Sequence, residues 1–225
     1  MKNRTKNELS EDIYEIKENL NGLTDPDSSL PSSDYIDYWR LRENRTFFVD
    51  YEIGENDEGK TEYELLNLSK AIINLNIAEI NIPKEELKPI YIWIHSYGGD
   101  LSQSLYVCDL IKSSRIPIIT IGMGVCMSAG FLLFLAGRER YAFKHTTMLA
   151  HSGSAGFQGT AEQIEEAQKS YKKQIESMKK YILDNTNIDE KTFNKNRNKD
   201  WYIDEQDFEN YGICKIVEDF SEIYK

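Results

Sequence analysis

A long run without charge divides near its centre into two different patterns. From Ile116 to Gly137 the chain carries no charged residue, a length that could cross a bilayer, since a membrane-spanning helix needs about 20 apolar residues. Pro117 and three glycines interrupt the run, however. Its first part, IPIITI, is β-branched like a core strand, whereas FLLFLA has the composition of a helix. We therefore expect a buried strand followed by a buried helix rather than a membrane span.

Strand and helix patterns alternate along most of the chain. Extended segments are predicted at RTFFVDYEI, PIYIWIHS, IPIITIGMG, RYAFKH and TMLAHS. Helices are predicted at TEYELLNLSKAIINLN, at SQSLYVCDLIKSS after a possible cap at Asp100, and from Ser128 to Ala136. The C-terminal part is predicted as helix, loop, helix (DEQDFENY), a stop at Gly212 and the strand ICKIV. This alternation predicts an α/β fold with a largely parallel sheet.

The longest predicted helix covers about residues 160–184. It begins with a T-x-x-Q capping box formed by Thr160 and Gln163. Its apolar positions recur at spacings of three and four, namely Ile164, Ala167, Tyr171, Ile175, Met178 and Ile182. The opposite face is rich in Glu, Lys and Gln. We expect an antiparallel copy from another subunit to cover this apolar stripe.

Charge and composition restrict the classes of function. The 225 residues carry a net charge of −11, which disfavours nucleic-acid binding because phosphates are repelled. The three cysteines form no CxxC pair, so we expect no metal site and no disulfide framework, as in a reducing cytoplasm. The charged N-terminus lacks the apolar core of a signal peptide. Residues 1–33 end in the turn-rich TDPDSSLPSS and are predicted to form a polar arm or propeptide-like segment, with a possible short helix from Ile13 to Leu20.

Two junctions between a strand and a helix could form part of a catalytic or ligand-binding site. In HSYGGD, paired glycines would let backbone amides approach a ligand closely. In GMGVCMSAGF, Ser128 lies at a helix start, where free N–H groups favour a developing anion. Cys126 replaces the first glycine of a G-x-S-x-G elbow, which disfavours a standard α/β-hydrolase. His151 ends an extended segment and Asp200 precedes the apolar WYI, although each alone has an ordinary structural explanation.

Taken together, these segments resemble the ClpP family, the proteolytic subunits of the ATP-dependent caseinolytic (Clp) protease. YIWIHSYGGD and GVCMSAGFLLFLAG are similar to the family's YLYINSPGG and GQAASMGAFLLAAG. TMLAHSGSAGFQGTAEQIE is similar to IMIHQPxGGxxGxAxDIE, and KDWYIDEQDFENYGICKIV to RDxFLSAxEAxEYGLVDxV. The resemblance covers roughly residues 34–220 and assigns residues 34–225 to one peptidase domain.

The resemblance implies a ClpP/crotonase-like fold, with repeated β-β-α units, a largely parallel sheet and a protruding handle helix at about 160–184. It assigns the nucleophile to Ser128, the general base to His151 and the orienting acid to Asp200. The backbone N–H groups of Gly99 and Ala129 would form the oxyanion hole. The substrate cleft would include Gly98, Ser152, Gly153 and Gly156. A serine hydroxyl needs such a base near neutral pH, and the base needs a carboxylate to fix its tautomer.

The resemblance also implies partners. The chain would form heptameric rings, two of them stacked, and degrade unfolded proteins delivered by a Clp-type ATPase unfoldase. Tyr91 and Trp93 point to the same face of one strand, and the matching strand of the family lines the clefts that receive an ATPase loop. No cofactor is expected in the chain itself, because ATP would be hydrolysed by the partner and no P-loop motif is present.

Several positions depart from the family pattern, and other functions stay open. His95–Ser96–Tyr97 replaces Asn–Ser–Pro, Lys199 replaces an arginine, and the N-terminal Gly–Glu–Arg motif is reduced to DYIDYWRLRE. A crotonase-like acyl-CoA enzyme would share the two-amide oxyanion hole. A catalytically silent ClpP-like structural subunit and a Ser–Lys signal-peptidase-like enzyme are further alternatives, the last disfavoured because no membrane anchor is predicted.

Overall fold

The computed structural model describes residues 33–54 and 60–224, and the chain divides into two compact units, Met1–Arg45 and Thr46–Lys225. In the first unit, helix α1 (Ser33–Glu43) is described. Two of its surface side chains, Arg40 and Asp37, form an ion pair of 3.4 Å, although such an exposed pair contributes little stability. The predicted arm of residues 1–33, with its possible helix from Ile13 to Leu20, lies almost wholly outside the described residues, so its boundary stays a prediction.

Seven strands of the second unit form one sheet within residues 46–54 and 60–224. They are β1 (Thr46–Val49), β2 (Ile90–Ser96), β3 (Ile118–Met127), β4 (Glu139–Ala142), β5 (Thr147–Ala150), β6 (Trp201–Ile203) and β7 (Lys215–Ile216). The order is β1-β2-β3-β4-β7, and β5 pairs with both β3 and β6. All of these pairs are parallel except β5–β6. The prediction of an α/β fold with a largely parallel sheet is therefore confirmed.

Helices connect these strands and cover the sheet. They are α2 (Lys60–Ala78), α3 (Leu101–Ser113), α4 (Ala129–Ala136), α5 (Ala161–Asp184), α6 (Glu190–Asn196) and α7 (Glu205–Phe208), with 3-10 turns at Lys84–Glu86 and Phe220–Glu222. Every residue of α4 is buried, as expected for a helix that is apolar on all sides. Predicted and observed helices therefore agree for the segments that become α2, α3 and α4.

Strand β2 separates two apolar clusters. Ile90, Ile92 and Ile94 point into the main core beneath the helices, whereas Tyr91 and Trp93 belong to a smaller cluster that also contains Ile121 and Tyr141. Alternate residues of a strand point to opposite faces of a sheet. A parallel strand of this kind is buried on both faces, which explains why the segment has almost no polar residues.

Strand β3 is long and irregular. Its first half pairs with β4 and its second half with β5, while its pairing with β2 shifts between Ile94↔Gly122 and Ser96↔Cys126. Gly124 lies in this irregular stretch with φ +72°, and a β-carbon there would lie 2.7 Å from the His95 ring. The uncharged run thus forms a strand followed by a helix, as predicted. No helix in the described ranges is both long enough and apolar enough to cross a membrane.

Helix α5 begins at its predicted cap but buries its stripe differently from our expectation. Thr160 and Gln163 form both bonds of the capping box. Ile175, Met178 and Ile182 are buried in the main core of the same chain. The first half of the stripe, from Ile164 to Tyr171, is only partly buried. The expectation that another subunit covers the whole stripe is therefore wrong for its second half, because α5 packs there against its own domain.

The short strand β6 was not predicted from the sequence, because only helix and loop were expected around WYI. It pairs antiparallel with β5 in the register Met148↔Ile203, Leu149↔Tyr202 and Ala150↔Trp201. Three residues are too few for an alternating pattern to be recognised, and the pairing partner lies far away in sequence. This strand nevertheless sets the position of Asp200.

Candidate active site

Four separate segments meet at one edge of the sheet. Ser128, His151 and the pair Gly98–Gly99 follow the carboxyl ends of β3, β5 and β2, which run parallel. Asp200 precedes β6. Because β6 runs antiparallel to β5, its amino end reaches the same edge. Ligands of parallel sheets commonly bind at this carboxyl edge.

Ser128 connects β3 to α4 in an unusual backbone conformation. Its φ and ψ are 52° and −120°, in a region that a residue with a side chain rarely occupies and that costs about 1–3 kcal/mol. Its N–H donates to the Leu149 carbonyl of β5 at 2.8 Å. The buried helix α4 fixes the following residues. The chain thereby presents the hydroxyl at a sharp turn between a strand and a helix, as nucleophile turns do.

The imidazole of His151 lies between a hydroxyl and a carboxylate. Its Nε2 is 2.8 Å from Ser128 Oγ, and its Nδ1 is 3.4 Å from Asp200 Oδ1. The antiparallel register explains the second contact, because His151 and Asp200 each lie one residue beyond the pair Ala150↔Trp201. The three side chains thus form a chain of contacts in which a proton can move from the hydroxyl to the imidazole.

The glycine turn is clamped by the backbone of Ile53. Ile53 N–H donates to the Gly98 carbonyl at 2.7 Å, and Asp100 N–H donates to the Ile53 carbonyl at 2.5 Å. Gly98 and Gly99 have φ values of +108° and +133°, a region where side chains are strained. A β-carbon on Gly98 would lie 2.7 Å from Ser128 Cβ and 3.0 Å from Ala129 N. Glycine is therefore required where this turn passes Ser128.

Two backbone amides at this point have no acceptor in the described part of the chain. They are the N–H of Gly99, which lies between the two residues bonded to Ile53, and the N–H of Ala129, the first residue of α4. The first N–H groups of a helix have no partner within the helix. Free amides beside a serine hydroxyl can bind an oxygen that acquires negative charge.

The cysteines are not alternative nucleophiles. Cys126 is only two residues from Ser128, but it is fully buried, and burial raises the pKa of its thiol far above the ordinary value. Burial likewise raises the pKa of Cys108 and of Cys214 to about 12. A thiol reacts as the thiolate, so all three remain protonated near neutral pH. No group of metal-type ligands occurs among the described residues.

The other residues predicted for the cleft follow His151 in an extended loop. Ser152 bonds twice to the Arg197 carbonyl, through its N–H at 3.0 Å and its Oγ at 2.7 Å. Gly153 has φ +72°, and a β-carbon there would lie 3.0 Å from the Tyr171 hydroxyl. Gly156 has open space around it. Gly98 lies against Ser128, as described above, so all four residues lie near the site or in the loop leading from it.

Tyr91 and Trp93 lie in what we call the aromatic face, formed by Phe48, Tyr91, Trp93, Phe143, Phe220 and Tyr224. Trp93 stacks against Phe48, Phe143 and Phe220 at centroid distances of 6.2, 6.1 and 5.8 Å. Tyr91 contacts Tyr224 at 4.4 Å. Trp93 is only 7% exposed, whereas Phe220 is 57% exposed. The C-terminal segment of the chain therefore covers part of the strand that we expected to receive a partner.

Three supporting residues were not identified from the sequence. Ser96 Oγ donates to the Tyr51 carbonyl at 2.6 Å and accepts from Gly98 N–H at 3.2 Å, so it holds the glycine turn. Ser104 Oγ donates to the Ala129 carbonyl at 2.7 Å and holds the start of α4. Ile53 supplies the clamp described above. A serine or isoleucine in an ordinary strand, helix or loop gives no pattern that could have indicated these contacts.

Comparison with known proteins identifies the class to which this fold and site belong. The family model described as Clp protease matches residues 33–219, which is most of the chain. The chain therefore belongs to the Clp protease family. Its α/β architecture, with a largely parallel sheet, agrees with the ClpP fold that the sequence led us to expect.

Similar proteins include proteolytic subunits of this family. The chain is 33% identical to ATP-dependent Clp protease proteolytic subunit 2 of Treponema denticola over 139 residues, which cover 60% of this chain and 70% of that protein. It is 28% identical to subunit 2 of Corynebacterium efficiens, covering 90% and 95%. It is 26% identical to subunit 2 of Prochlorococcus marinus, covering 84% and 90%.

Proposed function

We propose that this protein is a serine endopeptidase, the proteolytic subunit of an ATP-dependent Clp-type protease. The observation that carries the proposal is the 2.8 Å contact between Ser128 Oγ and His151 Nε2, with Asp200 on the other ring nitrogen. Membership of the Clp protease family supports it. Modification of Ser128 by a fluorophosphonate, located by peptide mapping, is the direct test.

In the proposed reaction, Ser128 Oγ attacks the carbonyl carbon of a peptide bond while its proton passes to His151 Nε2. The imidazolium then donates this proton to the leaving amine, and an acyl-enzyme remains on Ser128. Water, activated by the same imidazole, releases the acid product. Asp200 orients the ring and stabilises its charged form without taking the proton.

The oxygen of the attacked carbonyl becomes negatively charged in the tetrahedral intermediate. We assign its stabilisation to the N–H groups of Gly99 and Ala129, because both lack an acceptor in the part of the chain that the structure describes. Their backbone is held in place before substrate binds, by Ile53 on one side and by Ser104 on the other. Donors that need no reorganisation contribute most to catalysis.

Replacement of Gly98 by alanine tests this assignment. We expect kcat to fall roughly 10²–10³-fold, as when one oxyanion donor is lost, because the new methyl group would press on Ser128 and on the Ala129 amide. Peptide hydrolysis and thermal unfolding are measured together. Gly212→Ala is the matched control, since it also introduces a β-carbon at a positive φ, +59°, but the nearest atoms there belong to the Asn187 side chain. Wild-type kcat in folded Gly98→Ala protein would contradict the assignment.

We also propose that the active sites face a chamber. In this proposal the chain assembles into heptameric rings, two of them stacked, and a Clp-type ATPase unfolds the substrates and supplies the energy of ATP hydrolysis. The names of the relatives, which describe subunits of ATP-dependent proteases, support the link to ATP. The first half of α5, with its partly exposed stripe, is the segment we assign to contact between subunits.

The aromatic face is the surface that we propose for docking of the ATPase. Trp93→Ala should weaken unfoldase-dependent degradation of casein by about 10-fold or more, because Trp93 stacks on the exposed rings of Phe48 and Phe220 and holds them in place, and aromatic side chains that a partner buries commonly dominate a contact. Hydrolysis of a short peptide should stay near the wild-type rate. Tyr106→Ala removes an exposed ring outside this face and serves as the control. Equal losses of both activities in Trp93→Ala protein would show that Trp93 acts only as core.

A further inference from the structure

Beyond the end of the β5–β6 ladder, one residue, Ser152, joins the two chain segments through its backbone and its side chain. Ala150↔Trp201 is the last pair in register. Ser152 then donates to the Arg197 carbonyl through both its N–H, at 3.0 Å, and its hydroxyl, at 2.7 Å. These two bonds enclose His151 and Asp200, which lie between the last ladder pair and Ser152–Arg197. Ser152 therefore controls the separation of the two strands where the imidazole and carboxylate meet.

The contact between His151 and Asp200 depends on such control. Its length, 3.4 Å, exceeds the usual range of about 2.7–3.2 Å for a nitrogen–oxygen hydrogen bond. The Asp200 side chain is 61% exposed, so little packing restrains it. Its backbone follows a tight turn in which Lys199 N–H donates to the Asn196 carbonyl at 3.1 Å. The position of the Asp200 carboxylate therefore depends on the hydrogen bonds that hold this turn, among them those from Ser152 to the Arg197 carbonyl.

Helix α5 also contacts the segment around Ser152, through Tyr171. The Tyr171 hydroxyl donates to the Ser152 carbonyl at 3.3 Å, and Gly153 leaves room for that hydroxyl. Burial raises the pKa of the Tyr171 phenol, so the hydroxyl stays protonated and remains a donor near neutral pH. The Tyr171 ring also meets Phe157 edge to face at 5.9 Å. Both the backbone N–H and the backbone carbonyl of Ser152 are thus hydrogen-bonded.

We propose that Ser152 is a positioning residue for catalysis, and that its hydroxyl, on the Arg197 carbonyl, holds Asp200 at the distance from which it orients His151. Tyr171 supports it by fixing the Ser152 carbonyl to α5. This inference rests on the proposed serine-peptidase function. Without the hydroxyl, only the Ser152 N–H still bonds the Arg197 carbonyl, so the turn at residues 197–199 is held less firmly and the carboxylate orients the imidazole less well.

A bond that merely stabilised the loop would give a different result from a positioning bond. Loss of a stabilising bond lowers the unfolding temperature and leaves turnover by the folded protein unchanged. Loss of a positioning bond lowers kcat in folded protein and leaves KM nearly unchanged, because substrate binding does not require the oriented imidazole. Restoration by threonine, which keeps the hydroxyl, identifies the bond itself as the cause.

The test compares Ser152→Ala, Ser152→Thr and Ser154→Ala in peptide hydrolysis and in the rate of fluorophosphonate labelling. Ser154 lies on the same loop, is exposed and is the matched control. We expect Ser152→Ala to lower kcat and the labelling rate roughly 10-fold to 100-fold, since a displacement of about 1 Å can cost that much. KM should stay within about 2-fold, Ser152→Thr should recover most of the rate, and Ser154→Ala should match wild type.

Unchanged kcat in Ser152→Ala, or an equal loss in Ser152→Thr, would overturn the proposal. If Ser152→Ala does not fold, Tyr171→Phe is measured instead, because it removes only the hydroxyl that donates to the Ser152 carbonyl. A several-fold loss of kcat in Tyr171→Phe supports the proposal, and wild-type turnover contradicts it. Labelling of wild-type Ser128 distinguishes a failure of the proposed peptidase function from a failure of the role assigned to Ser152. Labelled wild type with fully active Ser152→Ala refutes only the role of Ser152, whereas failure of Ser128 to react refutes both.

Discussion

Ser128→Ala protein is expected to lose peptide hydrolysis almost completely, by up to about 10⁶-fold in kcat, and to lose labelling by a fluorophosphonate. Among the residues that the structure describes, the hydroxyl is the only group in contact with His151 Nε2 that can form the acyl-enzyme. Alanine fits the same backbone without an additional strain, since the φ of 52° disfavours both residues equally. The measurement is peptide turnover together with mass analysis of the labelled protein.

Ser170→Ala is the control for this experiment, because Ser170 lies on the exposed side of α5 and should be dispensable. Thermal unfolding of both variants should match wild type. Label on another serine, or activity retained in Ser128→Ala, would refute the nucleophile assignment. A wild-type protein that assembles but neither reacts with the label nor cleaves peptides would indicate the catalytically silent subunit that the sequence left open.

Asp200→Asn is expected to reduce kcat by as much as about 10⁴-fold while leaving the fold intact. An asparagine amide is the same size as the carboxylate but neither stabilises an imidazolium nor imposes the required tautomer on His151. Because the side chain is largely exposed, its replacement should hardly change the unfolding temperature. Peptide turnover and thermal unfolding, measured on the same preparation, test both parts of the expectation.

Asp184→Asn provides a charge-matched control. Asp184 is an exposed aspartate at the end of α5, so its replacement changes net charge equally and should leave turnover unaltered. If Asp200→Asn keeps activity within about 10-fold of wild type, Asp200 does not orient the imidazole, and His151 must be held by other contacts, among them the bonds of the adjacent Ser152.

Local sequence patterns were sufficient for most of the elements. The β-branched run before Ser128 and the apolar run after it each carry a strong periodicity or composition, so β3 and α4 follow from local chemistry. The cap of α5 follows from Thr160 and Gln163, whose mutual bonds involve only neighbouring residues. Short elements were harder to predict from the sequence. Strand β6 has three residues, and it forms only because it pairs with a strand far away in the chain.

The apolar stripe of α5 shows where periodicity reaches its limit. The spacing from Ile164 to Ile182 indicates one continuous apolar face, but not what covers it. In the folded chain, Ile175, Met178 and Ile182 enter the main core, whereas the beginning of the stripe is only partly buried. Helical spacing determines which side chains share a face, and only the position of the neighbouring elements determines what that face contacts.

The sequence by itself determined the strand-turn-helix around Ser128, the glycine turn at Gly98–Gly99 and the order of the site residues, because these depend on neighbours in the chain. Only the tertiary structure decided that His151 and Asp200 face each other, since this follows from the antiparallel register of β5 and β6. It also decided that Ile53 clamps the glycine turn and that Ser152 holds Arg197. Hydrogen bonds between segments that are distant in sequence produce no periodic pattern, because nearly every residue carries the same backbone donor and acceptor.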